Sequence, residues 1–336
     1  MNRKPNFDNL LKILNKQKPE RPTLFEFFLN DKLYDYLVPE IKSIDTISYY
    51  KKVMIAYQRA GYDYFTIHGS DFHFPKNNQH VESTISLNEG FVITDYESFE
   101  KYEWPEPEDF DYSILIALGK ELPEGMKMIA YGPSGILENT IALVGYDNLC
   151  YMLFEEPELA ESIFKNIGER LIKYYRICME FDGVGAIIAN DDWGFNTQTM
   201  ISPSHLRKYV FPYYKKIIEI AHQKGLPVIL HSCGNLKEVM DDIIYDMKFD
   251  AKHSYEDKIM PVEQAYDTYF PKISILGGID VDFVCRSSKE EITKRCINMI
   301  EKTLDKGGYA LGTGNSVPYY VPVENYFAMI DVINLF

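Results

Sequence analysis

A histidine and a cysteine two residues apart, at the end of an apolar run, are the side chains of this sequence best placed for chemistry. In Leu226-Pro-Val-Ile-Leu-His231-Ser-Cys233-Gly-Asn235 the run Val228-Ile229-Leu230 reads as a buried strand, and His231 and Cys233 follow it directly. Residues two apart on extended backbone project to the same side. An imidazole nitrogen and a thiolate so placed suit zinc better than a hard cation. The structural alternative is a buried histidine beside a cysteine acting as a small hydrophobe.

Other reactive residues collect where further apolar runs stop. His68 and Asp71 stand in His68-Gly-Ser-Asp71, and Asn190-Asp191-Asp192-Trp193-Gly194 follows another run. His253 precedes Glu256 and Asp257, Asp280 ends Gly277-Gly-Ile-Asp280, and Asn315 ends Gly312-Thr-Gly-Asn315. Asp191 and Asp192 are adjacent, so on extended backbone they point opposite ways. One faces a pocket and the other caps the following segment, and either could be the acid. Glu256 and Asp257 read as acids at the site or as the start of a helix. His68 is a candidate acid–base group or a core histidine. His73, His80, His205 and His222 read as surface or loop residues. The glycine turns at 277–278 and 312–314 are sharp loops, or cradles whose backbone N–H groups hold an anion.

These residues need a scaffold that brings many strand ends together. Eight apolar runs serve: Thr23–Phe28, Tyr62–His68, Lys127–Tyr131, Gly185–Asp191, Pro227–His231, Asp250–Ser254, Ile273–Gly277 and Gly308–Gly312. Helical periodicity lies between them, around residues 7–16, through Lys51–Gln58 and from about Glu158 to Glu180. Strands alternating with helices imply parallel βαβ units. Eight such units imply an α/β fold closed as a single (β/α)8 TIM barrel over residues 1–336, with its chemistry at the C-terminal strand ends. A doubly wound open sheet is the alternative, and no Gly-x-Gly-x-x-Gly after the first strand supports it. Residues 76–125 read as an insertion between the second and third strands, with Trp104-Pro-Glu-Pro-Glu-Asp-Phe-Asp as a surface loop.

Composition narrows the partners. The formal net charge is −15 with no basic cluster, which argues against nucleic acid and against anionic membranes as partners. No apolar run reaches about 18 residues, so no spanning helix is expected. The N-terminus lacks the apolar core of a signal peptide. Five scattered cysteines fit a reducing cytoplasm better than a disulfide framework.

Asp191-Asp-Trp-Gly, Ile201-Ser-Pro-Ser-His-Leu-Arg-Lys-Tyr, Phe211-Pro, His231-Ser-Cys-Gly, Gly277-Gly-Ile-Asp, and Gly308-Tyr through Gly312-Thr-Gly-Asn315 to Pro322-x-Glu324-Asn325 resemble the uroporphyrinogen decarboxylase superfamily. The resemblance runs from about residue 150 to the end. The superfamily consists of (β/α)8 barrels and includes decarboxylases and zinc-dependent, corrinoid-linked methyltransferases. True decarboxylases carry an Arg-Gln-Ala-Gly-Arg-Tyr segment that grips substrate carboxylates. The corresponding stretch here, Arg21-Pro-Thr-Leu-Phe-Glu-Phe-Phe-Leu, lacks those arginines. The methyltransferase branch is the nearer likeness, because His231-x-Cys233 resembles the first two ligands of its His-x-Cys…Cys zinc site. Its third ligand position is Asn315 here, so Glu256, Asp191 or another residue would complete the set.

The resemblance implies methyl transfer between a small thiol, ether or amine and a cobamide on a separate corrinoid protein. It implies zinc at His231 and Cys233, and Asp191, Glu256, His68 and Asp71 as candidate catalytic groups. Trp193, Asp280, Gly314 and Asn315 are candidate cofactor contacts. The alternatives are a metal-free tetrapyrrole decarboxylase, with Asp71 at the pyrroles, and a non-catalytic tetrapyrrole or corrinoid binder.

Overall fold

The computed structural model describes residues 3–76 and 87–336. His80 and part of the 76–125 segment lie outside the described residues. Among the described residues, seven parallel strands form one curled sheet in chain order: β1 (Tyr64–His68), β2 (Lys127–Tyr131), β3 (Val184–Asn190), β4 (Val228–His231), β5 (Ala251–His253), β6 (Ser274–Leu276) and β7 (Tyr309–Ala310). Helices separate them, giving an α/β, TIM-barrel-like architecture. Six residues of β3 and all four of β4 are buried, as strands covered on both faces must be.

The expected first strand is the exception. Among the described residues, Thr23–Phe28 makes a single bridge, Leu24 to Leu311 beyond β7, with Phe25 N donating to Leu311 O and Leu311 N to Thr23 O. Toward β1 the bonds come from side chains. The Tyr64 hydroxyl lies 2.7 Å from both Glu26 N and Glu26 O, and Thr66 Oγ1 donates to Phe27 O at 2.7 Å. Hydroxyls thus satisfy buried backbone groups that a ladder would otherwise pair. The segment fills the gap between β7 and β1 without counting as an eighth strand.

The register fixes the functional rim. His68 pairs with Tyr131, Asn190 with His231, and His231 with His253, so the residues that end these strands stand side by side. The helices Phe7–Leu14, Thr46–Ala60 and Pro157–Cys178 lie where the periodicity expects them. Between β1 and β2 run the short helices Tyr96–Lys101 and Ser113–Gly119. The Pro-rich stretch between those helices is anchored rather than loose. Glu106 accepts from Arg170 at 2.5 Å and Lys173 at 2.7 Å, and Trp104 packs against Tyr102 and the Arg170 guanidinium. All five cysteines are free, and no helix among the described residues is long and apolar enough to cross a membrane.

Candidate functional site

Beyond β3 the two adjacent carboxylates part. Asp191 is buried. Its Oδ2 accepts from Leu137 N, Trp193 Nε1 and Tyr214 OH at 2.8–3.0 Å, and its Oδ1 accepts from Glu138 N at 2.9 Å. Leu137 and Glu138 open the helix Ile136–Val144, so Asp191 caps a helix N-terminus from outside the helix. Gly135 permits this approach, because a Cβ there would lie 2.1 Å from Asp191 Cγ. Burial pushes the Asp191 carboxyl up to about 6, and the four donors restrain that rise. Trp193, fully buried, donates its backbone N–H to Ser232 Oγ at 3.1 Å. Between these two anchored residues Asp192 turns to the rim, where its Oδ1 accepts from Cys233 N at 2.9 Å.

Asp192, His231 and Cys233 form a cluster whose ligand-capable atoms all lie within 4.8 Å of one another. His231 Nε2 stands 4.0 Å from Cys233 Sγ. Tetrahedral zinc holding an imidazole nitrogen and a sulfur would set them about 3.5 Å apart, so this pair would have to close by about half an ångström to share the ion. Burial holds His231 well below the usual histidine range, leaving a neutral imidazole with a lone pair to give. Burial, reinforced by the Asp192 charge, pushes the Cys233 thiol up to about 12. A divalent cation bound there would reverse that balance and favour the thiolate. Two further donors meet the sulfur: Ser254 Oγ at 3.4 Å and Asn315 Nδ2 at 3.2 Å. Lys252 lies buried below, donating to Ser254 O at 2.6 Å, and burial lowers its ammonium to about 8.

The structure brings Asn315 to the sulfur and keeps the other sequence candidates at graded distance. Glu256, Asp280, Gly314 and Asn315 share a neighbouring cavity of about 810 Å³. Asp280 caps the helix Val281–Arg286 through Phe283 N and also accepts from Asp257 N at 2.9 Å. Asp257 itself is held by Arg295. Gly314 is a backbone joint, its N–H donating to Ile279 O and its carbonyl accepting from Tyr255 N. His68 and Asp71 line a different cavity of about 690 Å³, with Phe28, Phe72, Tyr131, Glu138 and Asn190 in its wall. Burial lowers His68 to about 4, so it is neutral, and its ring stacks on Tyr174. The two regions touch: Phe28 stacks on Phe27, whose ring lies 4.6 Å from the His231 ring. His73 and His222 are exposed, His222 pairing with Asp250, while His205 is half-buried in the helix Pro203–Tyr209.

Two residues escaped the sequence reading. Glu138 lines the His68 cavity, and burial followed by the charges of Asp191 and Asp192 raises its carboxyl to about 8. Its only sequence signal is its place three residues after Gly135, where its Oε2 accepts from Gly135 N. Glu26 is fully buried, its oxygens meeting Thr313 N at 2.6 Å and Thr313 Oγ1 at 2.5 Å. The Thr313 hydroxyl also contacts the Asn315 carbonyl. One hydroxyl proton cannot serve two acceptors, and burial raises Glu26 to about 8, so a protonated Glu26 supplies the second.

Residues 56–336 match the family model for uroporphyrinogen decarboxylase. A uroporphyrinogen decarboxylase of Geobacter metallireducens is 22% identical over 245 residues, covering 70% of this chain and 68% of the relative. The methylcobamide:CoM methyltransferase MtbA of Methanosarcina acetivorans is 24% identical over 274 residues, covering 77% of this chain and 69% of its own. A methyltransferase structure from Methanosarcina mazei superposes with a TM-score of 0.70 at 16% identity, covering 98% of each chain. That likeness is one of fold.

Proposed function

The chain belongs to the uroporphyrinogen decarboxylase family, and from that premise we propose that it is a corrinoid-dependent methyltransferase. It moves a methyl group between a small thiol, ether or amine and a cobamide carried by a separate protein. The observation that carries this reading is the convergence of Asp192, His231 and Cys233 within 4.8 Å at the strand ends. Bound there, zinc would supply Lewis-acid activation of the sulfur, oxygen or nitrogen that exchanges the methyl group.

The chain's own residues do the rest. His231 offers a neutral nitrogen, Cys233 would release its proton to solvent when the ion binds, and Asp192 adds charge where Asn315 replaces the second thiolate of the family site. Asn315 donates its amide N–H to the Cys233 sulfur and tempers its charge. Glu138, protonated at neutral pH, can deliver a proton to a departing alkoxide or amine in the adjoining cavity. Phe28, Phe72 and Tyr131 give that cavity an apolar side against which a methyl-bearing group can pack.

Decarboxylation of a tetrapyrrole is the second reading, favoured by decarboxylase relatives such as that of Geobacter metallireducens. The cationic contacts it needs are scarce. Arg21 is tied to Asp63 at 2.8 Å and to Lys4 O, and the residues that follow it are Phe25, Phe27 and Phe28 rather than further arginines. Among the described residues the His68 cavity offers Lys76 as its cation, and the Asn315 cavity Lys258 and Arg286. A substrate with eight carboxylates wants more.

Elemental analysis of the purified protein and of His231→Ala tests the proposal, alongside methyl transfer from methylcobalamin to a thiol. About one zinc per chain, lost in the variant together with transfer, is expected. A metal-free protein that converts uroporphyrinogen efficiently would overturn it.

A further inference from the structure

We infer that His253 is a positioning residue: through a fixed proton order it forces His231 to keep its Nε2 lone pair free, facing Cys233. This deepens the zinc reading above and rests on it for its function, although the proton order can be measured without metal.

The order follows from which atoms can donate. His253 is fully buried and His231 is 7% exposed, and their hydrogen-bond partners are each other, the Thr313 carbonyl and the Cys233 sulfur; with no carboxylate among these to compensate a buried charge, both imidazoles are neutral. A neutral imidazole carries one proton, on one of its two nitrogens. His253 Nε2 lies 3.1 Å from the carbonyl oxygen of Thr313, which can only accept. The His253 proton is therefore on Nε2, and its Nδ1 holds a lone pair. That Nδ1 lies 2.8 Å from His231 Nδ1. Two lone pairs cannot share so short a contact, so His231 Nδ1 carries the proton and donates it. His231 Nε2 is left unprotonated, 4.0 Å from the Cys233 sulfur. Without a partner at Nδ1, histidine in water favours the opposite tautomer, which would turn an N–H toward the metal position. The hydrogen bond at one ring nitrogen sets the state of the other.

The end of the chain of bonds is anchored. The Thr313 carbonyl also accepts from Gly278 N at 2.8 Å, and Glu26 holds the Thr313 amide and hydroxyl. The His253 ring is wedged between Phe25, edge-on at 5.2 Å, and Gly277. A Cβ at Gly277 would come within 2.9 Å of His253 Nε2, so only glycine leaves the ring its place. The β4–β5 register, which pairs His231 with His253, sets the two rings side by side.

Two measurements test this. The first is long-range 1H–15N spectroscopy of the metal-free protein with labelled histidine, the seven signals being assigned by single substitutions. His231 should be in its Nδ1–H form and His253 in its Nε2–H form. An Nε2–H form of His231 overturns the inference even if zinc binds, and an Nδ1–H form sustains it even if zinc does not, in which case only the zinc reading fails. The second is zinc affinity by competition with a chromogenic chelator. His253→Phe keeps the ring volume without the acceptor and should weaken binding about 10- to 100-fold. His253→Asn places an oxygen near the Nδ1 position and should stay within about threefold of wild type. Equal losses in both variants, or none in a folded His253→Phe, would show that His253 only fills space. Should His253→Phe fail to fold, the tautomer of the wild-type protein decides.

Discussion

Over the ends of β3, β4 and β5 the chain gathers Asp192, His231 and Cys233, electron-pair donors that converge on one point, with His253 behind His231. Over β1 and β2 it sets His68, Tyr131, Phe28 and Phe72 around a cavity whose acid, Glu138, burial keeps protonated. The donor region is tied together by defined bonds: Asp192 to Cys233 N, Asn315 to the sulfur, His231 to His253. The aromatic region is tied by tyrosine hydroxyls behind its wall, Tyr50 to Tyr131 and Tyr174 to the Tyr131 carbonyl, and faces its cavity with rings in edge-on contact, such as Phe28 and Tyr131 at 5.0 Å. The difference teaches a division of labour. One region can fix an ion in a single geometry, and the other can hold a small apolar group beside it.

If that division is real, disturbing one region should leave the other in place. The largest effect is expected from below the donor region. Glu26 has a folded pKa near 8, above its usual value, so the folded state binds a proton that the unfolded state has lost between about pH 4.5 and 8. Its stabilising contribution is full below that window and falls as pH rises through it, by about 1.4 kcal/mol per pH unit. Glu26→Gln keeps a donor for the Thr313 hydroxyl and should flatten that slope, read as the wild-type-minus-variant difference in urea unfolding at pH 5 and pH 8. A parallel slope in both proteins would mean that Glu26 is ionised.

Asp191→Ala should cost about 3 kcal/mol or more in urea unfolding, because it strands four buried donors. Asp192→Ala should cost only about 1 kcal/mol while weakening zinc. Equal destabilisation would erase the distinction between the inner and outer carboxylate. His231→Ala should lower zinc affinity on the order of a hundredfold, whereas Phe28→Ala, on the aromatic side, should change it less than about twofold. A large zinc effect of Phe28→Ala would show the two regions to be one.

The smallest change is a gain. Asn315→Cys should tighten zinc about tenfold by placing a thiolate where an amide now meets Cys233. Binding at a thiol releases its proton, so the gain should grow as pH rises from about 6 to about 8. If wild type already binds as tightly, Asp192 completes the site unaided.

What the sequence alone determined is what depends on near neighbours. Apolar runs closed by polar residues located six of the seven strands, because a strand buried on both faces is mostly apolar until it reaches the rim; β5, Ala251-Lys252-His253, buries two polar side chains and is the weak run among the seven. The two-residue spacing put His231 and Cys233 on one side, because side chains on extended backbone alternate. The adjacency of Asp191 and Asp192 already required one to face inward. Which one it is lay beyond the sequence, because the answer rests on Tyr214 and on a helix opening at Leu137. Only the tertiary structure made Thr23–Phe28 a bridged segment, since Tyr64 and Thr66 take the bonds of a ladder. Only it turned the Asn315 amide toward the Cys233 sulfur, 82 residues earlier, as a donor, and set His253 against His231. Such convergence follows from register between strands far apart in the chain, and local periodicity carries no trace of it.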